Sequence, residues 1–240
     1  MEQNNNQYTI ANIPVTQLAK DFGTPLYIYN TQTIEQQYKR LSKAFSKTNV
    51  QIKYACKALS NITILRFIKS LGAGLDTVSL NEIELGLKAG FSADEIIFTA
   101  NSVSIDEIST AVEKGVMVNI DNISILEQFG HKYGNSIPVS IRINPHILAG
   151  GHQKISTGHI DSKFGISIHQ LRHVERVVKS TNLHVVGLHM HTGSDILDVE
   201  VFLRGVEIIL ETAANFKTLQ FIDLGSGFKV KYHKNDIETD

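Results

Sequence analysis

Residues 51–79 read QIKYACKALSNITILRFIKSLGAGLDTVS, and this stretch decides the fold. A short run rich in apolar residues at 51–55 is followed by apolar residues at helical spacing over 62–70 and by a second short run at 75–78. A strand, a helix and a strand in this order are typical of a βαβ unit, in which the two strands lie parallel. The stretch therefore predicts an α/β fold with a parallel sheet.

The same alternation extends along almost the whole chain. Short β-branched or apolar runs predict strands at 25–30, 51–55, 75–78, 96–99, 116–120, 139–143, 185–190 and 221–224. Apolar periodicity predicts helices near 31–47, 62–70, 80–89, 104–114, 123–132, 167–180 and 199–215. The residues predicted to cap helix N-termini are Thr31, Asn61, Ser104 and Asn122. Residues 144–166 form the one long connection from a strand to a helix, and such connections are often functional.

The number of strands bears on whether a barrel closes. Seven strands follow the run PLYIYN at 25–30, whereas a closed β/α barrel has eight. Either PLYIYN supplies the eighth strand, or the chain ends before the barrel closes. The polar tail KYHKNDIETD at 231–240 offers no further strand. The expected fold is thus an α/β, TIM-type (β/α)8 barrel that is truncated before its last strand.

The composition excludes several classes of protein. With 240 residues, 42% of them hydrophobic, the chain can bury a sizeable core, which excludes a disordered protein. A net charge of −1 gives no electrostatic reason to expect nucleic acid or an anionic membrane as a partner. No apolar run approaches the roughly 20 residues that span a bilayer, and the start MEQNNNQYTI does not resemble a signal peptide. The single cysteine, Cys56, fits a reducing compartment, so we expect a soluble, cytoplasmic protein.

Polar side chains follow five of the predicted barrel strands. In a β/α barrel the carboxyl ends of the strands form the rim at which chemistry takes place. Solvated loop ends alone do not require so many polar groups at one rim. The residues concerned are Lys57, Asp76, Ser79, Arg142, Asn144, His189, His191, Ser194, Asp223 and the turn Gly225-Ser226-Gly227.

Each of these groups also has a purely structural interpretation. Lys57 is either a solvated surface lysine or an amine that forms a Schiff base when burial lowers its pKa. His189 and His191 share a strand face. Three interpretations are open: the pair binds zinc, one of the two packs on a planar ring, or both are buried barrel histidines. No cluster of Cys or Glu accompanies the two histidines, so no metal is expected.

The remaining groups leave the same choice open. The turn at 225–227 follows a strand, and its backbone N–H groups are suited to a phosphate, although any tight turn also uses glycine. Asp76 and Arg142 are either part of a binding site or a structural ion pair. Residues alone therefore indicate a rim site without fixing its ligand.

Eight ordered motifs resemble a known family. They are YACKALSN (54–61), GLDTVSLNEIELGLKAGF (74–91), IIFTANSVSIDEI (96–108), VNIDNISILE (118–127), IRINP (141–145), HQKISTGHIDSKFGIS (152–167), GLHMHTGS (187–194) and IDLGSGF (222–228). Together they resemble the alanine-racemase-type family of pyridoxal-phosphate-dependent decarboxylases. The segment at 152–167 and the paired histidines are more similar to the branch that acts on diaminopimelate than to the ornithine or arginine branch.

The resemblance implies roles for residues of the rim. Lys57 would bind pyridoxal 5'-phosphate covalently, and His191 would stack on its ring. The phosphate would be held by Ser194, Gly225, Ser226 and Gly227. Asp76 and Arg142 would lie beside the ring and its phenolic oxygen. Near the distal end of the substrate the resemblance implies His152, Ser156 and Thr157.

The resemblance also implies an activity and a domain division. The implied reaction is decarboxylation of meso-2,6-diaminopimelate to L-lysine and CO2, in lysine biosynthesis, by a homodimer. The alternatives are a related decarboxylase of another basic amino acid and a non-catalytic, cofactor-binding or regulatory relative. Residues 1–30 would belong with a second domain, and residues 31–240 would form a barrel that is incomplete at its C-terminus.

Two departures from the family pattern follow. Ser226 stands where the family has the middle glycine of three, and the family's EPGR-type segment and β-rich second domain do not occur in these 240 residues. The 240 residues are therefore expected to be inactive by themselves.

Overall fold

The computed structural model describes residues 2–4, 7–147, 162–233, 235–237 and 239. A small antiparallel sheet and two helices come first in the chain. These elements are β1 (Glu2–Asn4), β2 (Gln7–Ile10), β3 (Ile13–Pro14), α1 (Val15–Phe22) and α2 (Thr31–Ala44). The three strands pair in the order β1-β2-β3. The sequence patterns did not predict β1, β2, β3 or α1. The three strands are only two to four residues long, which is too short to show a period.

Strands and helices then alternate as the sequence predicts. The strands are β4 (Lys53–Ala55), β5 (Gly74–Thr77), β6 (Ile96–Phe98), β7 (Met117–Ile120), β8 (Pro138–Asn144), β9 (Ile166–Ser167), β10 (His184–His189) and β11 (Phe221–Asp223). The helices are α3 (Ile62–Ser70), α4 (Leu80–Ala89), α5 (Ile105–Glu113), α6 (Ile123–Tyr133), α7 (Leu171–Thr181) and α8 (Val199–Ala213). The two-residue strand β9 lies where the start of a helix was predicted.

The parallel sheet has the order β4-β5-β6-β7-β8-β10-β11, and β9 pairs with β8. Every neighbouring pair in it is parallel. The sheet curls into part of a barrel, and within the described residues β4 and β11 are its two edges. This confirms the prediction of a parallel α/β barrel fold. No helix in the described ranges has the length and apolar character that crossing a membrane requires.

The helices begin where side chains satisfy their first N–H groups. Asn61 accepts hydrogen bonds from Thr63 N at 3.0 Å and Ile64 N, and Asn122 accepts one from Ile125 N at 2.9 Å. The predicted caps Asn61, Ser104 and Asn122 are thus confirmed. The prediction that Thr31 caps a helix was wrong by one residue. Asn30 caps α2, because its side chain accepts hydrogen bonds from the N–H groups of residues 32 and 33.

The register of the ladder shows that the two faces of the parallel sheet differ in chemistry. One face packs against the helices and forms the main core, which includes Leu75, Ile96, Phe98, Val118, Ile141 and Leu188. The opposite face lines the inside of the curl. It carries the polar residues Asp76, Asn119, Ser140, Arg142, His189 and Asp223. An interior of this kind is suited to binding rather than to close apolar packing.

The run at 25–30 does not form the predicted strand. Its backbone pairs with no strand that the structure describes, and Leu26, Tyr27 and Tyr29 are exposed. A strand needs a neighbouring strand for its backbone hydrogen bonds, and β-branched or aromatic composition alone does not supply one. The run therefore does not provide an eighth barrel strand.

Candidate active site

Lys57 lies immediately beyond the end of β4. It is the middle residue of a short 3-10 turn, Cys56–Ala58, and its side chain is exposed at the rim. The neighbouring Cys56 is completely buried in the main core, and burial raises the pKa of its thiol to about 11. Cys56 is therefore an inert packing residue at neutral pH, as the sequence predicts. The turn fixes the two side chains on opposite sides of the strand end.

Three polar residues lie side by side on neighbouring strands inside the barrel. Arg142 on β8 is paired in register with His189 on β10, and His189 is paired with Asp223 on β11. Arg142 and His189 are buried, at 6% and 5% exposure. Residues paired in register point to the same face of a sheet, so all three side chains face the interior.

Arg142 keeps its donors available. Burial lowers the pKa of its guanidinium, while Asp121, Asp76 and Asp223 raise it, so the group remains a cation at physiological pH. The side chain donates no hydrogen bond to any residue in the described ranges, and it forms no direct ion pair with Asp76. The structural ion pair considered from the sequence is thus not formed, and the cation is free for an anionic ligand.

A hydrogen bond across two neighbouring strands lies close to Asp76. The Asn119 side-chain amide donates to the Thr99 hydroxyl at 3.0 Å across two neighbouring strands, and this hydroxyl interacts in turn with the Asp76 carboxylate. Burial raises the pKa of Asp76 to about 6, although Thr99, Lys57 and Arg142 act in the opposite direction. The Oδ1 atom of Asp76 is buried without a hydrogen-bond partner among the described residues. Such an atom is costly unless a ligand or water satisfies it.

His189 and His191 are both neutral in this environment. Burial lowers the pKa of His189 to about 4 and that of His191 to about 3, and the nearby cations Arg142 and Lys57 lower both further. A neutral imidazole is a flat, polarisable surface that packs on another ring without a charge to desolvate. His189 is a buried barrel residue, and its Nδ1 has no hydrogen-bond partner among the described residues.

The turn after β11 has the form of an anion site. Asp223 Oδ1 accepts the N–H of Gly225 at 2.8 Å, while the N–H groups of Ser226 and Gly227 have no acceptor in the part of the chain that is described. Gly227 has φ +119°, and a Cβ there would overlap the carbonyl oxygen of Gly193. This close approach brings Ser194, which is exposed, beside the turn. Unpaired N–H groups in such a turn bind phosphate.

The second histidine adjoins the same turn. A Cβ at Gly225 would lie 2.9 Å from His191 Nδ1, so the ring and the turn are in contact range. The structure therefore brings His191, Ser194 and the turn together, and Lys57 and Arg142 interact electrostatically with His191. These are the residues that sequence reasoning assigned to one site.

Other predicted or overlooked residues have different places. Ser79 accepts the N–H of Glu82 at 3.2 Å, so it is the N-cap of α4. His152, Ser156 and Thr157 lie outside the described residues. Sequence reasoning did not single out Thr99, Asn119 or Phe164. Within the described ranges no group of three metal-ligating side chains occurs.

A barrel whose rim combines a lysine, a buried cation, a neutral imidazole and an anion-binding turn defines a domain that binds a phosphorylated aldehyde cofactor. The chain belongs to the family described as "Pyridoxal-dependent decarboxylase, pyridoxal binding domain", which it matches over residues 31–240. Its cofactor is accordingly pyridoxal phosphate.

The most informative relatives are diaminopimelate decarboxylases. Those of Methanothermobacter thermautotrophicus and Campylobacter jejuni are 36% and 35% identical, over 96% and 93% of this chain. The diaminopimelate decarboxylase of Helicobacter pylori, solved with L-lysine, is 32% identical over 94% of this chain, with a TM-score of 0.85. The lysine/ornithine decarboxylase of Vibrio vulnificus, solved with putrescine, is 26% identical over 91% of the chain, with a TM-score of 0.77.

The match covers only part of these proteins. The chain spans 56% and 58% of the two sequence relatives, and 59% and 57% of the two solved chains.

The residues present fit pyridoxal phosphate. The N–H groups of Ser226 and Gly227 suit its phosphate, and the uncommitted donors of Arg142 suit its phenolate oxygen. The neutral ring of His191 suits its aromatic ring, and Lys57 presents an amine at the same rim. The phosphate, the phenolate oxygen, the aromatic ring and the aldehyde carbon thus each have a chemically matched group on this chain.

Proposed function

We propose that this chain is the cofactor-binding barrel of an enzyme that decarboxylates meso-2,6-diaminopimelate to L-lysine and CO2. The observation that carries the proposal is the convergence of Lys57, Arg142, His191 and the turn at 225–227 at one rim. The greater similarity to diaminopimelate decarboxylases than to the lysine/ornithine enzyme supports this choice of substrate. The class of reaction is that of a pyridoxal-phosphate-dependent carboxy-lyase.

Each residue of the rim has a distinct task in this proposal. Lys57 would hold the aldehyde carbon of the cofactor through its amine. Arg142 donates to the phenolate oxygen. The N–H groups of Ser226 and Gly227, with the Ser194 hydroxyl, hold the phosphate. When bound, pyridoxal phosphate supplies a conjugated ring that takes up the electron pair left when the substrate loses its carboxylate.

The buried residues control charge around the rim. His191 packs on the ring as a neutral imidazole, because burial and the nearby cations keep it unprotonated. Asp76 partly balances the charges of Arg142 and Lys57 and is held by Thr99. Arg142 and His189 are buried, which strengthens the electrostatic interactions that they make.

The proposal also covers the domain division, the oligomeric state and the cellular location of the protein. The family match begins at residue 31, which supports a division into a leading segment, 1–30, and a barrel, 31–240. A homodimer is what the family resemblance implies, and size-exclusion chromatography with light scattering tests it. A cytoplasmic location is supported by the single, buried Cys56.

The attachment of the cofactor is tested first. The chain is incubated with pyridoxal phosphate, reduced with borohydride and digested, and the labelled peptide is identified. We expect the label on Lys57 and none in Lys57→Ala. Lys53 is the matched control, because its half-buried amine donates to the carbonyl of Glu95 at 3.0 Å and is committed there. A label on Lys53, or none at all, contradicts the proposal.

The substrate is tested by protection of the same lysine. A substrate amine that displaces Lys57 prevents its reduction to a labelled product, and this readout does not require turnover. We expect meso-diaminopimelate to protect Lys57 at a lower concentration than ornithine or arginine, and CO2 release is followed in parallel. Better protection by ornithine or arginine identifies a decarboxylase of another basic amino acid. Cofactor attachment without protection by any of them identifies a non-catalytic relative.

A further inference from the structure

The end of the long connection between β8 and β9 lies over the buried arginine of the site. The ring of Phe164 faces the guanidinium of Arg142, with 4.9 Å from the ring centroid to Cζ. Arg142 is 6% exposed, so this contact is largely removed from water. Cation–π contacts strengthen when the cation is desolvated.

A cation–π contact differs from a hydrogen bond in the part of the guanidinium that it occupies. The five N–H donors of arginine lie in the plane of the group. Contact with the π face of a ring provides no acceptor oxygen, so it leaves these donors available for an anion. In agreement with this, Arg142 donates no hydrogen bond to any described residue. Phe164 therefore holds the cation without reducing its capacity to bind an anion.

The position of Phe164 is itself fixed by its neighbours in the chain. The side-chain amide of Asn101, at the end of β6, donates to the carbonyl oxygen of Lys163 at 3.1 Å and also to Asp121. On the other side, Gly165 has φ +79°, and a Cβ there would lie 3.0 Å from the backbone nitrogen of Asn144. Only a glycine allows this approach to β8. The ring is thus held between two anchored residues.

We propose that Phe164 is a positioning residue for Arg142. Its ring keeps the guanidinium in place so that the N–H donors meet an anionic group of the cofactor at the rim. Asn101 supports this arrangement, because it ties the carbonyl of Lys163 to the barrel. The inference rests on the proposed function, since Arg142 has a task only when the cofactor binds.

A second cation on the same ring provides a control. Lys163 Nζ lies 5.2 Å from the centroid of Phe164, but Lys163 is exposed, where such contacts contribute little. Lys163→Gln removes this cation but keeps the backbone carbonyl of residue 163, which accepts the hydrogen bond from Asn101. It is expected to have no effect on the affinity for pyridoxal phosphate.

The contact is tested without cofactor by a double-mutant cycle. Urea unfolding is measured for wild type, Phe164→Leu, Arg142→Gln and the double variant. If Phe164 holds Arg142, the two substitutions are not additive. Additive effects overturn the proposal. Should Phe164→Leu not fold, Phe164→Met, which is unbranched and of similar volume, replaces it in the same cycle.

The positioning role is tested by titration with pyridoxal phosphate. Phe164→Leu is expected to weaken binding by about three- to thirtyfold, the range that a cation–π contact provides, whereas Phe164→Tyr retains wild-type affinity. Equal affinities of the leucine and tyrosine variants overturn the proposal. If wild type binds no pyridoxal phosphate, the proposed function fails, and the unfolding cycle still decides whether Phe164 holds Arg142.

Discussion

The carboxylate of Asp223 accepts the backbone N–H of Gly225 at 2.8 Å. Asp223 is the last residue of β11 and faces the barrel interior beside His189. Gly225 is the first residue of the turn that presents the N–H groups of Ser226 and Gly227. One side chain therefore links the interior of the barrel to the shape of the proposed phosphate site.

This link predicts that Asp223→Ala weakens the binding of pyridoxal phosphate. A hydrogen bond to a charged acceptor contributes about 1.5–3 kcal/mol, so a loss of about tenfold or more in affinity is expected. Asp223→Asn retains an oxygen that accepts from Gly225, and its affinity is expected to stay within about threefold of wild type. Equilibrium titration with the cofactor measures both variants. Equal losses in the two variants would show that charge, rather than the hydrogen bond, matters here.

The two histidines are predicted to act differently. His191 adjoins the phosphate turn, whereas His189 lies deeper, between Arg142 and Asp223. His191→Ala removes the ring that we propose packs on the cofactor, and we expect about three- to tenfold weaker binding. His189→Ala is expected to reduce the free energy of unfolding with a smaller effect on affinity, because it leaves a cavity in the interior.

A conservative variant separates stacking from other effects of His191. His191→Phe keeps a flat ring without nitrogen atoms, so it is expected to bind more tightly than His191→Ala. Titration of all three variants with pyridoxal phosphate, together with urea unfolding, provides the comparison. Identical affinities for the two alanine variants would count against the assignment of the stacking role to His191.

Buried titratable groups predict the dependence of stability on pH. Burial raises the pKa of Asp76 from 3.8 to about 6, so its contribution to stability is fully present below pH 3.8 and is lost as the pH rises through 6. The pKa values of His189 and His191 are lowered from 6.5 to about 4 and about 3. Their contribution is present above pH 6.5 and is lost as the pH falls through these values. Between about pH 4 and pH 6.5, the two histidines make the free energy of unfolding rise with pH, whereas Asp76 makes it fall. The histidines outnumber Asp76, so a net rise is expected.

Asp76→Asn removes the carboxyl whose effect on the pH dependence of stability opposes that of the two histidines. Without this carboxyl the total rise in unfolding free energy over the same interval becomes larger. The increase is on the order of 3 kcal/mol for a pKa shift of the size that Asp76 shows. Urea unfolding at intervals between about pH 4 and pH 7 measures the slope. His189→Gln is the matched variant, since it cannot gain a proton and is expected to make the slope shallower. Curves that differ from wild type by a constant offset at every pH would refute the raised pKa of Asp76.

The elements that the sequence predicts well are those with local causes. The caps Asn61, Ser104 and Asn122 act on N–H groups two or three residues away, so a short window contains the whole interaction. The strand predicted at 25–30 fails for the opposite reason. Its apolar and aromatic composition is local, but a strand exists only if another strand lies beside it, and none does in the described part of the chain.

The site shows the same division. Lys57, His191 and the turn at 225–227 stand out because a short motif contains each of them. Thr99 and Asn119 do not, because their hydrogen bond joins residues 20 positions apart through the register of two strands. Phe164 was quoted within a motif, but its stacking on Arg142 depends on the path of the connection from β8. Supporting residues of this kind become visible only when the strands are placed side by side.

The phosphate turn predicts opposite outcomes for its two neighbouring residues. Gly227 has φ +119°, and a Cβ there would overlap the carbonyl oxygen of Gly193, which belongs to the adjoining turn. Ser226 has no positive φ, so the backbone accommodates a side chain at the position where the resemblance implies a glycine. The departure in the motif therefore falls where the backbone tolerates it.

Gly227→Ala is accordingly expected to abolish the binding of pyridoxal phosphate and to lower the free energy of unfolding by about 1–3 kcal/mol, because the backbone must shift or remain strained. Ser226→Gly is expected to leave folding and affinity within about threefold of wild type, since the N–H group that faces the phosphate is unchanged. Both variants are compared by urea unfolding and by titration with the cofactor, with inorganic phosphate as competitor. If Gly227→Ala binds as wild type does, the approach of the two turns is not required, and the phosphate site must lie elsewhere on the rim.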